Sequence, residues 1–266
     1  MGGDDIRLSG VMGMALLGHE RYCDEVVAQV GMLTDLLVGA DMAVKVPTCP
    51  EWTLDDLVRH VGTNLRVIET AVRTETPVVD HHEPGPGRPA TWLADTAAEF
   101  ADTLRKAGPD AVARVWGLAA RTDYLARRAT HDLVVHRADV AITVGADYAV
   151  SPEVAVDAID ELLEMIGDPG VVSANPRMAE LRGSGTTIHL HGTDDTPDLA
   201  PEWLIEFHSK GFTWRRGHAK ATVAARGTVR DLLLVFYRRL PPTDRRIEVL
   251  GDASLLDFWL DRVSLE

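Results

Sequence analysis

The chain has 266 residues, enough for one large domain or two ordinary ones, and 45% of them are hydrophobic, as in proteins with a sizeable core. Its formal charge of −14 gives an acidic surface that repels phosphate backbones, which argues against nucleic-acid binding. The sequence has no apolar run long enough to span a membrane, and its two cysteines, Cys23 and Cys49, imply no disulfide framework, so we expect a cytoplasmic protein.

Helical periodicity dominates the first 170 residues. Apolar residues at helical spacing, with caps and breakers at several ends, predict five helices: Gly10–Gly39, Thr53 to about Arg73, Thr91–Ala107, Thr122–Val144 and Pro152–Ile166. Val46–Trp52 and Asp80–Pro89, which carry prolines, are predicted to be loops. The first four helices fit an up-and-down four-helix bundle, a fold whose core commonly hosts metal ions.

The hydrophobic pattern changes after residue 170. Alternating residues predict four strands, namely Thr186–His191, Trp203–His208, Ala221–Arg226 and Arg246–Leu250. Two further helices are predicted at Thr228–Arg239 and Ala253–Val263. The sequence therefore predicts a helical domain over residues 1–170 and a small α+β domain with an antiparallel sheet over residues 171–266.

Three residues of the helical part suggest a metal site. Asp132 and His136 are four residues apart, so they share one face of their predicted helix. His60, from a different helix, would complete a set of two histidines and one carboxylate, which leaves a coordination position open for substrate or water. A metal-bound histidine commonly donates its second ring N–H to an outer acceptor, for which Asp139 and Asp157 are candidates.

Each of these residues also has a purely structural interpretation. His60 borders the apolar stripe of its helix, as a partly buried core histidine does. Asp132 and His136 also fit a simple pair on a helix surface. His131 lies on a different side of the helix from His136, so we assign it a structural or supporting role.

Two other groups compete for a functional role. His189 and His191 face the same side of a predicted strand, which is a possible metal pair, but no third ligand is evident nearby in sequence. An exposed strand face is the favoured interpretation. Cys49, between two prolines, lacks a base to activate it, so packing is favoured over a role as nucleophile.

Several segments resemble the mycothiol-dependent maleylpyruvate isomerase family of actinobacteria. The resemblance is carried by five stretches spread over nearly the whole chain: Val46–Gly62, His131–Asp139, Val156–Leu163, Gly227–Leu240 and Glu248–Asp257. It implies a DinB-like four-helix bundle followed by a C-terminal α+β domain similar to sterol carrier proteins.

The resemblance also assigns roles to residues. It implies that His60, Asp132 and His136 bind a metal, which is expected to be zinc. The family usually has glutamate where this chain has Asp132, whose side chain is one methylene shorter. The family also uses a C-terminal arginine near the active site, for which Arg239 is the nearest match and Arg238 the alternate; a solvated helix end is the other interpretation of both.

The activity implied by the resemblance uses mycothiol, a small thiol. A cation in an open site stabilises a bound thiolate. The thiolate would add to the double bond of maleylpyruvate, and rotation about the new single bond followed by loss of the thiol would give fumarylpyruvate. An arginine would orient the dicarboxylate. Two alternatives stay open: a mycothiol S-transferase acting on electrophiles, and a non-catalytic metal- or small-ligand-binding module.

Overall fold

The computed structural model describes residues 17–76, 89–183, 185–194 and 196–263. It divides into two compact units, whose described parts are residues 17–148 and residues 149–263. The domain boundary predicted from the sequence, at residue 170, lies after this division. The prediction assigns the fifth helix to the first domain. That helix belongs to the second unit. Helical periodicity shows that a helix has an apolar face, but not which neighbour covers it.

The N-terminal unit contains the predicted bundle of long helices, which confirms the fold expected for this half of the chain. Their bounds are α1 His19–Leu36, α2 Leu54–Thr74, α3 Pro89–Ala107 and α4 Thr122–Val144. The predicted helix start at Gly10 lies outside the described residues. The predicted loop Asp80–Pro89 also lies outside them, except for Pro89. Gly145 follows α4 in the left-handed conformation and ends that helix after Val144, the predicted last residue.

Two short antiparallel hairpins accompany the helices. They consist of β1 Lys45–Val46 with β2 Cys49–Thr53, and of β3 Val112–Val115 with β4 Leu118–Arg121. The first hairpin occupies the segment that was predicted to be a loop. Its two prolines hide the strand pattern, but a two-stranded edge hairpin tolerates proline where no ladder hydrogen bond is needed.

Helix α2 begins with a capping box at its N-cap Thr53, the residue where the predicted helix starts. The Thr53 hydroxyl accepts a hydrogen bond from the Asp56 backbone N–H at 3.2 Å, and the Asp56 carboxylate accepts from the Thr53 backbone N–H at 2.8 Å. The box satisfies two N–H groups and fixes where α2 starts. Further along the helix, Gly62 lets α3 lie close, because a Cβ there would be 2.1 Å from the Trp92 ring.

Replacing Thr53 with alanine is expected to lower the free energy of unfolding by about 1 kcal/mol, since it removes the capping acceptor. Denaturant unfolding monitored by circular dichroism measures this change. Thr53→Ser is the matched control and should retain most of the wild-type stability, because serine keeps the hydroxyl. Equal stability of all three proteins would show that the box does not stabilise α2.

The C-terminal unit is the predicted α+β domain. Its helices are α5 Pro152–Gly167, α6 Pro169–Ala174, α7 Val229–Phe236 and α8 Ala253–Arg262. Its strands are β5 Thr187–Gly192, β6 Glu202–His208, β7 Gly211–Arg216, β8 Val223–Gly227 and β9 Glu248–Gly251, in the sheet order β7-β6-β5-β8-β9.

The predicted all-antiparallel sheet is wrong at one pairing, because β5 and β8 run parallel. The hairpin of β6 and β7 lies on one side of β5, and the chain then returns to the other side to place β8. Residue alternation reveals a strand but not its neighbour or its direction. Strand β7 was not predicted, and it pairs antiparallel with β6.

The sheet buries one face against helices. Trp203, Ile205 and Phe207 alternate along β6 and are fully buried, and Phe207 lies edge-on to Trp259 of α8. Because side chains alternate across a strand, the intervening positions of β5 and β6 face the opposite side of the sheet. Within the described residues, no helix combines the length and the apolar character that crossing a membrane requires.

Candidate metal centre

His60, Asp132 and His136 converge in the N-terminal unit. His60 projects from α2, and Asp132 and His136 project from α4, which packs against α2. Their ligand atoms all lie within 4.8 Å of one another, and Asp132 Oδ2 is 3.9 Å from His136 Nε2. The spacing of four residues on α4 and a single histidine on α2 thus produce one compact cluster.

Asp139 orients the His136 ring. Its Oδ2 accepts a hydrogen bond from His136 Nδ1 at 2.9 Å, and its Oδ1 accepts one from the Thr48 hydroxyl at 2.6 Å. Asp139 is fully buried, so its carboxylate is held in place by these donors. With the proton on Nδ1, the Nε2 lone pair of His136 faces Asp132. Carboxylate–histidine pairs of this kind support metal ligands.

Asn64 links the other two residues of the cluster. It lies one turn after His60 on α2, and its Nδ2 is 3.1 Å from His60 Nε2. The same side chain hydrogen-bonds to the Asp132 carboxylate. Arg128, one turn before Asp132 on α4, contacts Asp132 Oδ1 at 3.4 Å. Both contacts orient the carboxylate toward the histidines.

The electrostatics of the cluster favour the ligand forms of its residues. Burial lowers the pKa of His60, and the neighbouring His136 lowers it further against the opposing effect of Asp132. Burial raises the pKa of Asp132, but the nearby His136, Arg128 and His60 and the Asn64 hydrogen bond bring it below its usual value. At neutral pH His60 is therefore uncharged, with a lone pair on Nε2 that accepts from Asn64, and Asp132 is a carboxylate.

Trp52, at the end of the first hairpin, packs over both imidazoles. Its ring centre is 4.6 Å from that of His60 and 6.0 Å from that of His136. Asp132 keeps 28% of its side chain exposed, whereas His136 keeps 10%. The cluster therefore has an apolar wall on one side and an accessible carboxylate on the other.

The donor set fits a divalent cation. Two imidazoles and one carboxylate are among the ligand sets found in catalytic zinc sites with three protein donors. Zinc bonds of about 2.0–2.2 Å allow two ligand atoms to be no more than about 4.4 Å apart, and the Asp132–His136 separation of 3.9 Å satisfies that limit. The hydrogen bond from His136 to Asp139 adds the outer support that such ligands need.

The other predicted site residues lie on other elements or on another side of α4. Asp157 lies on α5 in the C-terminal unit, so Asp139 is the candidate that orients His136. His131 is fully buried and lies edge-on to the Tyr22 ring, in keeping with a structural role. Arg238 and Arg239 follow α7 in the C-terminal unit, and the predicted helix through Arg239 ends earlier, at Phe236.

The two arginines differ in their surroundings. Arg239 is half-buried, and its Nη1 donates to the Tyr237 carbonyl at 2.7 Å. Arg238 is exposed and has a φ of 61°, which follows from its position at the turn after α7. Of the two, Arg239 has the more fixed position.

Three supporting residues escaped the sequence prediction. Asn64 is four residues after His60, so helical spacing could have identified it as a neighbour of that histidine. Thr48 and Trp52 come from the first hairpin, far in sequence from α4. Their role depends on how the hairpin packs, for which the sequence carries no local signal.

The two cysteines do not offer a reactive thiol. Burial raises the pKa of Cys23 to about 11. Cys49 is half-buried, and its Sγ lies 3.9 Å from Asp139 Oδ2, where a thiolate would meet a like charge. We expect a native protein at pH 8 to react with a disulfide reagent slowly and at Cys49 alone, and both thiols to react once it is unfolded. Rapid reaction of two thiols in the native protein would contradict this.

Two family models match most of the chain. Residues 23–141 match the family model "Mycothiol maleylpyruvate isomerase N-terminal domain", and residues 153–258 match the model "MDMPI C-terminal domain". The chain belongs to the mycothiol-dependent maleylpyruvate isomerase family. The gap between the two matched ranges, residues 142–152, contains the boundary between the two compact units of the structure.

Solved structures share the fold of this family member. The crystal structure of a mycothiol-dependent maleylpyruvate isomerase has a TM-score of 0.59 and 11% identity, covering 89% of this chain and 95% of its own. A histidine-to-alanine mutant of such an isomerase has a TM-score of 0.54 and 12% identity, covering 84% and 90%. At this identity the likeness establishes the fold alone. No curated protein matches the sequence significantly.

Proposed function

We propose that this chain is a mycothiol-dependent isomerase whose N-terminal unit holds a divalent cation, expected to be zinc, through His60, Asp132 and His136. The convergence of these three side chains from α2 and α4 carries the proposal. Family membership supports mycothiol as the thiol and a maleylpyruvate-like dicarboxylate as the substrate. The absence of an activated cysteine among the described residues is in keeping with a thiol supplied from outside.

The residues around the cluster prepare it for thiol chemistry. A cation bound there would stabilise a thiolate at neutral pH, well below the ordinary thiol pKa of about 8.5. Asp139 holds the His136 tautomer, and Trp52 shields the two imidazoles from water. The partly exposed Asp132 leaves that side of the cluster accessible.

Isomerisation needs only reversible addition of the thiol. The thiolate sulfur forms a bond to one carbon of the cis double bond. The π electrons of the double bond then move toward the adjacent carbonyl, which becomes an enolate. Rotation about the resulting single bond is followed by return of the electrons and departure of the same thiolate. Mycothiol is therefore regenerated, and no oxidant or reductant is consumed.

A dianionic substrate needs positive charge in a protein of net charge −14. Arg128 supplies one cation beside the cluster in the N-terminal unit. By family resemblance Arg239, or else Arg238, supplies a second. A guanidinium binds a carboxylate through two parallel hydrogen bonds and so fixes its orientation.

The test is incubation of purified, zinc-loaded protein with mycothiol and maleylpyruvate, with fumarylpyruvate as the product measured. We expect turnover that requires both protein and mycothiol and leaves the mycothiol concentration unchanged. Consumption of mycothiol with a stable thioether on an added electrophile, without isomerisation, would establish the S-transferase instead. If the protein catalyses neither reaction, with or without metal, a binding module remains as the function and the proposal is overturned.

A further inference from the structure

A second cluster of metal-ligating side chains lies in the C-terminal unit. It consists of His189 and His191 on β5, Glu202 on β6 and His218 after β7. Their ligand atoms all lie within 4.8 Å of one another. We name these four residues the sheet cluster. It shares no residue with the N-terminal cluster and plays no part in the function proposed above.

Glu202 is the centre of the sheet cluster. Its Oε2 lies 2.6 Å from His218 Nδ1, 2.9 Å from His189 Nε2 and 3.4 Å from His191 Nδ1. Each pair of the three imidazole rings has its centres 5.1 to 5.9 Å apart, and every pair meets edge to face. Three imidazoles around one carboxylate oxygen give nitrogen and oxygen donors that converge on a small volume.

The backbone holds three members of the cluster in register. His191 is directly opposite Glu202 in the antiparallel pairing of β5 and β6, and His189 is two residues before His191 on the same face. This is the face opposite to that of the buried Trp203. Central strands are rigid supports for a site, whereas a chance surface grouping of histidines has no such support.

The cluster does not fit the exposed strand face expected from sequence. His189 is 3% exposed, which contradicts that expectation, while His191 keeps 29% of its side chain exposed. Burial lowers the pKa of His189 against the opposing hydrogen bond to Glu202. Burial raises the pKa of Glu202, but the hydrogen bonds from His218 and His189 bring it below its usual value. A neutral imidazole and an ionised carboxylate are the forms that bind metals.

We propose that His189, His191, Glu202 and His218 bind a divalent transition-metal cation of the zinc type. Imidazole nitrogen with one carboxylate suits zinc and its first-row neighbours, whereas magnesium and calcium prefer oxygen donors. Four protein donors complete a tetrahedral shell, which is typical of a structural site. The cation would tie the segment after β7 to strands β5 and β6 and would neutralise Glu202.

The experiment isolates this site by removing the first one. Full-length protein carrying His136→Ala is stripped with a chelator and titrated with zinc against a chromophoric competitor. We expect one equivalent to bind in this background and two in the wild type. Adding His191→Gln should weaken the remaining site by more than about 100-fold, beyond the roughly 10–100-fold expected for loss of an outer-shell contact.

Two further variants keep the result interpretable. His208→Gln, at the end of β6 and outside the cluster, is the matched control and should still bind one equivalent. His218→Gln tests the site without risk to folding, because that side chain is 72% exposed, and it should also lower the affinity. Absence of zinc binding by His136→Ala protein, or unchanged binding after both cluster substitutions, would overturn the proposal.

Discussion

Replacing His136 with alanine is expected to empty the N-terminal metal site and to lower mycothiol-dependent isomerisation roughly 10²–10³-fold, the loss typical of removing one charge-stabilising group. His136 supplies one of three ligands, and its partner Asp139 would be left buried without that donor. Metal analysis of the purified protein should show one equivalent fewer than the wild type. Product formation at saturating mycothiol measures the loss of rate.

His208→Gln is the control for this change, since it replaces a histidine that lies outside both clusters. It should keep the wild-type metal content and rate. A His136→Ala protein that retained both wild-type metal content and wild-type activity would show that the N-terminal cluster is not the catalytic site. Thermal unfolding of the metal-free proteins separates loss of metal from loss of fold.

Replacing Asp139 with asparagine is expected to weaken metal binding in the N-terminal unit by about 10–100-fold without removing a ligand. Asparagine has nearly the same shape, but its amide cannot accept from both His136 Nδ1 and the Thr48 hydroxyl as the carboxylate does. The His136 ring would lose its fixed tautomer and orientation. Competition with a chromophoric chelator gives the affinity of the site.

Asp147→Asn makes the same chemical change at an exposed position in the same unit and should leave the affinity unchanged. An Asp139→Asn protein with the wild-type metal affinity would show that the hydrogen bond to His136 does not support the site. A lower affinity for both variants would indicate a general effect of net charge instead.

Local sequence spacing was enough to predict much of the N-terminal unit. Caps such as Thr53 and the apolar stripes of the helices are encoded within a few residues of each other, and so are Asp132, His136 and Asp139. His60 is a single histidine on another helix, which spacing does not connect to α4; ligand chemistry suggested it as the third ligand, and the family resemblance supplied the link. The structure brings it to the same cluster.

Pairing between distant segments was not predictable in the same way. Strand register decides that Glu202 lies opposite His191, and the loop between β5 and β6 does not define that register. His218 reaches the same point from beyond β7, a strand that the sequence did not reveal. The sheet cluster therefore appears only once the sheet is assembled, and the same holds for the Thr48 contact with Asp139.

The most direct test of the central claim is optical. Protein carrying His191→Gln, which leaves the N-terminal cluster intact, is loaded with cobalt(II) in place of zinc and titrated with mycothiol. The account predicts a thiolate-to-cobalt charge-transfer band that saturates at one equivalent of mycothiol and is lost on adding His136→Ala. Absence of the band, or its persistence without His136, would contradict the binding of a thiol at a metal held by His60, Asp132 and His136.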